Sequence, residues 1–140
     1  MAKTPVAWTP HRDPYEREVA AFSASYMSNA KWYRVFQAIA DAQLGVTKAT
    51  WKFIWSEHLF DDGVPRLCDL LPSRLVDGLF QPVEYKWIEW IFFPRLWRPR
   101  ADVGYEVSQN IELLKQVLEG VGQLESVEDD KGLTLFGYGR

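Results

Sequence analysis

Val83-Glu-Tyr-Lys-Trp-Ile-Glu-Trp-Ile-Phe-Phe93 decides the fold class. The run is dense in aromatic and β-branched residues, which suit a pleated backbone. Apolar residues fall on both of its faces, which predicts a central strand covered on both sides, or one that carries a bulge. Glu89 sits among Ile88, Trp90 and Ile91. If its side is covered, its pKa would rise unless a Lys or Arg pairs with it, and a structural ion pair is the expectation. Glu84 and Glu89 are five positions apart, an odd offset that aims them at opposite faces unless a bulge intervenes.

Upstream of this run, Trp51, Phe53 and Trp55 alternate with Lys52 and Ser56, a period of two that predicts a strand over residues 47–57. Asp61-Asp62-Gly63 reads as a turn. Residues 64–80 are irregular, broken by Pro65 and Pro72 and by the Asp77-Gly78 turn. Downstream, Pro94 and Pro99 bracket Arg95-Leu-Trp97-Arg98, an exposed loop. Ser108 is the expected cap of a helix with Ile111, Leu114, Val117, Leu118 and Val121 on one face, ended by Gly120 and Gly122. A turn at Asp129-Asp130-Lys131-Gly132 then joins two short runs into a β-hairpin.

The N-terminal part has the helical period. Asp13-Pro14-Tyr15-Glu16 is a helix start, followed by Tyr15, Val19, Phe22 and Tyr26 on one face. Ser28-Asn29 begins a second helix with Trp32, Val35, Phe36, Ile39 and Ala40 as its stripe, and Gly45 as its C-terminal glycine. So short a connection predicts a helical hairpin. Residues 1–13 read as a loose arm. The expected architecture is α+β in a single domain over residues 1–140. It comprises an N-terminal helical hairpin, a small mainly antiparallel sheet, and a C-terminal helix followed by a β-hairpin.

With 140 residues, 47% of them hydrophobic and 15% aromatic, the chain can bury one substantial core, which excludes bulk disorder. No apolar run approaches the ~20 residues of a spanning helix. Met1-Ala-Lys-Thr-Pro-Val lacks the apolar segment of a signal peptide, and Cys68 has no partner cysteine, so the expected address is the cytoplasm. Net charge is −3, but unevenly placed: residues 101–130 hold eight acids against Lys115 alone. A pI of about 5.4 without a basic stripe argues against nucleic-acid binding.

Chemistry-bearing residues are sparse. The chain has two histidines. His58 lies near Glu57, Asp61 and Asp62, so Glu57-His58-Asp61-Asp62 is the one cluster that would suit a hard cation or a small active site. Cys68, between Leu67 and Leu70, reads as a buried, inert thiol. There is no nucleophile elbow and no phosphate loop. No cofactor or metal is expected. Trp97 with Arg95 and Arg98 has the residue types of an interface hot spot.

Lys31-Trp32-Tyr-Arg-Val-Phe36, Asp77-Gly-Leu-Phe-Gln-Pro-Val-Glu-Tyr-Lys-Trp-Ile-Glu-Trp90 and Leu135-Phe-Gly-Tyr138 resemble a family of small, Trp-rich bacterial proteins known as a domain of unknown function. The likeness covers about residues 28–140, and the first helix and arm depart from it. It implies a bacterial cytoplasmic origin, and a general similarity to the small proteins that neutralise polymorphic toxins.

The resulting expectation is a non-catalytic protein-binding module of the immunity type, acting on a secreted bacterial toxin by occlusion. Its expected contact residues are Asp61, Asp62, Arg95, Trp97, Arg98, Glu125, Glu128, Asp129 and Asp130. A small enzyme or ligand-binding protein using the Glu57 cluster is the alternative, as is a secretion chaperone or adaptor.

Overall fold

The computed structural model describes residues 22–46, 48–75, 83–97 and 106–139. In chain order the elements are β1 (Ala24–Ser25), α1 (Asn29–Ala42), β2 (Lys48–Phe53), β3 (Leu59–Gly63), β4 (Arg74–Leu75), β5 (Val83–Glu84) and β6 (Ile88–Pro94). They continue with β7 (Leu96–Trp97), β8 (Val107–Ser108), α2 (Ile111–Val121), β9 (Ser126–Glu128), β10 (Gly132–Phe136) and β11 (Tyr138–Gly139). The class is α+β. Five strands form the main sheet in the order β3-β2-β6-β10-β9, and every neighbouring pair is antiparallel. The expected central strand is central: β6 lies between β2 and β10.

Alternation sorts the side chains of this sheet. Ala49, Trp51 and Phe53 of β2, Ile91 and Phe93 of β6, and Leu133 and Leu135 of β10 are buried in one core. Trp32, Val35, Phe36 and Ile39 of α1 and Ile111, Leu114 and Leu118 of α2 complete it. Phe36 is its centre. Its ring stacks on Trp32 at 5.5 Å and Trp51 at 5.8 Å, and tilts against Tyr85 at 5.8 Å. Burial pushes the Tyr85 phenol up to about 12, and its hydroxyl donates to the Leu71 carbonyl at 2.7 Å.

The run 83–93 is not one strand. Tyr85–Trp87 forms a 3-10 turn between β5 and β6. A bulge follows: Lys52 is opposite Trp90 but Phe53 is opposite Ile88, so Glu89 is the extra residue on β6. The bulge is bracketed from the other side, where the Gly137 N–H donates to the Glu89 carbonyl at 2.7 Å.

Ser28 caps α1 as expected, accepting from the Lys31 N–H. Its C-cap is Gln43, left-handed at φ 50°, and the expected Gly45 follows two residues later, also with a positive φ of 76°. The α2 cap is Asn110 and not Ser108, because Val107–Ser108 pairs with Leu96–Trp97 and the Asn110 side chain accepts from the Leu113 N–H. Asp61-Asp62-Gly63 is not a turn but the end of β3, paired along Thr50, Ala49 and Lys48 of β2. The C-terminal hairpin is present, with β9 and β10 in register from Leu133 opposite Glu128.

The first helix of the expected hairpin falls mainly on residues outside the described ones. Its end is different from expectation, since Ala24–Ser25 pairs with Tyr138 and Gly139 and the Tyr26 N–H donates to the Gly137 carbonyl at 2.9 Å. Those strand hydrogen bonds displace the helical ones at Tyr26. No helix among the described residues is long and apolar enough to cross a membrane.

Candidate functional site

The residues expected at a binding surface are split by the fold into three places. Asp61 and Asp62 lie on β3, one edge of the sheet. The Asp61 carboxylate accepts from the Thr50 hydroxyl across the strand pair, and the Asp62 carboxylate accepts from the Gly63 N–H, both at 2.6 Å. His58 is exposed, with its ring edge-on to Phe60 at 6.0 Å, and the Glu57 side chain extends into solvent 4.0 Å from the Lys52 ammonium. Among the described residues, no three His, Cys, Asp or Glu side chains converge enough to hold a metal ion. The Glu57-His58-Asp61-Asp62 cluster of the alternative reading is therefore not assembled as a metal site. Cys68 is exposed rather than buried, because the 3-10 turn Leu67–Asp69 that carries it buries none of its residues.

The second place is the Arg95 clamp. Its guanidinium donates to Glu112 on α2 at 2.8 Å, to Glu128 on β9 at 3.1 Å and to the Asp129 carbonyl at 3.1 Å. Lys115 adds a contact to Glu128 at 3.2 Å. Arg95 first and Lys115 second hold the Glu128 carboxyl below its ordinary value. The clamp is charged at neutral pH, and its contribution is lost as pH falls through that lowered value. Arg95 and Glu128, expected as contact residues, thus tie a helix to a hairpin. Trp97 is half-buried on β7 rather than displayed on a loop, with the Lys48 ammonium 5.5 Å above its ring. Arg98 lies outside the described residues.

The third place is the acidic side. α2 and β9 meet at the Gly122–Leu124 corner, where Lys31, Lys115, Glu119 and Glu125 are the charged residues lining an open groove of about 940 Å³. The Asp129 carboxylate is used inside its turn, accepting from the Lys131 and Gly132 N–H groups at 2.8 and 3.1 Å. Glu119, Glu125 and Asp130 are exposed and make no ion pair among the described residues. Glu125 and Asp130 are the part of the expected acidic contact surface that remains available, and Glu119, which was not among the expected contacts, adds a third carboxylate.

Sequence reasoning located Glu89 but not its partner. The Lys52 ammonium donates to the Glu89 carboxylate and to the Phe53 carbonyl, both at 2.9 Å, and both side chains are about nine-tenths buried. Lys52 looked like a solvent-facing residue of an alternating strand, and only the bulge brings Glu89 round to it. Glu84 instead approaches Lys86 at 3.6 Å, so the two glutamates serve different partners. Beside this pair, Tyr26, Glu89, Trp90, Glu125, Val127 and Phe136 line a pocket of about 380 Å³. Trp90 and Phe136 are directly opposite one another on β6 and β10. This pocket shares Tyr26 and Glu125 with the larger groove.

No protein-family model, curated protein or solved structure matches the chain.

Proposed function

We propose that the protein is a non-catalytic binding module of the immunity type, which neutralises a bacterial toxin in the cytoplasm by covering a basic part of its surface. The observation that carries this reading is the acidic side at the α2–β9 corner. Glu119 and Glu125 at that corner, and Asp130 in the turn at the far end of β9, present charge that no cation of the described fold engages. Carboxylates of this kind steer a partner of opposite sign and give salt-dependent association. The frame behind them is tied down by the Arg95 clamp, so the charges are presented without first ordering a loop.

The test is capture with the full tagged chain from a nuclease-treated bacterial lysate, identification of a near-stoichiometric partner by mass, and association kinetics with the purified partner. Glu119→Lys combined with Asp130→Lys is expected to slow association about tenfold at low salt and to flatten its salt dependence. Asp129 is left alone because its carboxylate holds the turn. An unchanged rate and salt slope would remove the acidic side from the interface, and a partner without toxicity would remove the immunity reading.

A further inference from the structure

The pocket over the β6 bulge has a composition that selects its occupant. Its floor is the cross-strand pair Trp90 and Phe136, Tyr26 and Val127 contribute further wall, and Glu89 and Glu125 supply the ionisable groups. Glu89 is already neutralised by Lys52. Glu125 is not paired among the described residues, so the pocket they form carries one uncompensated carboxylate against aromatic surface.

An anionic occupant would meet Glu125 with like charge. A neutral apolar occupant would strip water from that carboxylate and return no hydrogen bond. An organic cation satisfies both walls, because its charge faces Glu125 while its apolar flank lies against rings whose faces attract positive charge. The volume, about 380 Å³, is at the small end of ligand sites and suits a single side-chain head group. The pocket also adjoins the groove of about 940 Å³ through Tyr26 and Glu125, so a chain leaving it has surface to follow.

We propose that this pocket receives one arginine or lysine side chain from the basic partner. The proposal rests on the protein-binding reading for the source of the side chain, and on the pocket alone for its chemistry.

Two-dimensional NMR of the full chain, following the Trp90 indole N–H (assigned with Trp90→Phe), tests it. The probes are Nα-acetyl-arginine amide, Nα-acetyl-lysine amide, the uncharged Nα-acetyl-citrulline amide, and a Gly-Gly-Arg-Gly-Gly amide peptide. At least one cationic amide is expected to give a saturable shift, and the citrulline amide none. The tighter of the two amides tells guanidinium from ammonium. The peptide is expected to bind more tightly than the isolated arginine amide, and equal affinity would instead assign the pocket to a free small cation.

Glu125→Gln is expected to weaken the cationic amide about fivefold, within the range of a partly desolvated cation contact, while Glu119→Gln leaves it unchanged. Both positions are exposed, so neither variant endangers the fold. No saturable shift with either cation, an equal shift with the citrulline amide, or an unaffected Glu125→Gln variant would each overturn the proposal. If the probes fail while partner association still depends on Glu119 and Asp130, the pocket falls and the binding module stands. If the probes bind but no partner is captured, the pocket stands and the module reading falls.

Discussion

Lys52→Met, with Glu89 left in place, is expected to destabilise the protein by about 3–5 kcal/mol, because it removes the ammonium 2.9 Å from a carboxylate that is nine-tenths buried. The cause is the bulge. It turns Glu89 off the regular alternation and against Lys52, so the two charges leave water together. The paired replacement Lys52→Met with Glu89→Leu is expected to recover most of the loss, since removing both charges removes the desolvation cost as well. Urea unfolding followed by tryptophan fluorescence measures both variants. A loss below about 1 kcal/mol for the single variant would mean that water reaches Glu89 readily, as it does in exposed pairs.

Phe36→Ala is expected to cost a similar amount, about 3–5 kcal/mol, through lost burial and an unfilled cavity. Phe36 is fully buried at the meeting point of α1, β2 and the Tyr85–Trp87 turn, with Trp32, Trp51 and Tyr85 around its ring. Three large, shape-fixed neighbours leave little scope for the site to collapse. Leu113→Ala is the contrast: that side chain is 42% exposed on α2, and its removal should change stability by no more than about 0.5 kcal/mol. The same denaturation curves decide the matter. A loss at Phe36 no larger than at Leu113 would show that the aromatic cluster does not bear on stability.

Where local chemistry and tertiary packing agree, the sequence was a sufficient guide. Ser28 caps α1 by accepting from the Lys31 N–H, and the stripe Trp32, Val35, Phe36, Ile39 is buried as its spacing requires. β6 is central because only a covered strand tolerates so many apolar residues on two faces. The failures came where pairing outweighs local preference. Asp61-Asp62-Gly63 has turn composition, yet Phe60 opposite Trp51 fixes the register and draws the acids into an edge strand, where charge is tolerated. Ser108 was displaced as a cap by its pairing with Leu96.

The candidate site was legible only in part, for a similar reason. The acidic content of residues 101–130 was plain, but its division between clamp, turn and open surface depends on distances across α2, β9 and Arg95. Glu128 and Asp129 looked equivalent to Glu125 and Asp130 in sequence, and differ only in what the fold places beside them. The Trp90–Phe136 pocket had no signal at all, because its walls come from the N-terminal segment, β6 and the C-terminal hairpin.

The two rims of the sheet carry a consequence of their own. No strand among the described residues covers the outer row of β3 or of β9; β3 carries Asp61 and Asp62 there, whereas the Glu128 carboxylate of the three-residue β9 is held by Arg95 and Lys115. Leu59 and Val127, the exposed apolar residues on those rims, would otherwise invite stacking between copies. The two carboxylates of β3 oppose a copy that would add its own β3 to that rim. That protection is electrostatic, so it weakens as salt screens it, and the folded chain is most prone to aggregate near its pI of about 5.4, where its net charge vanishes.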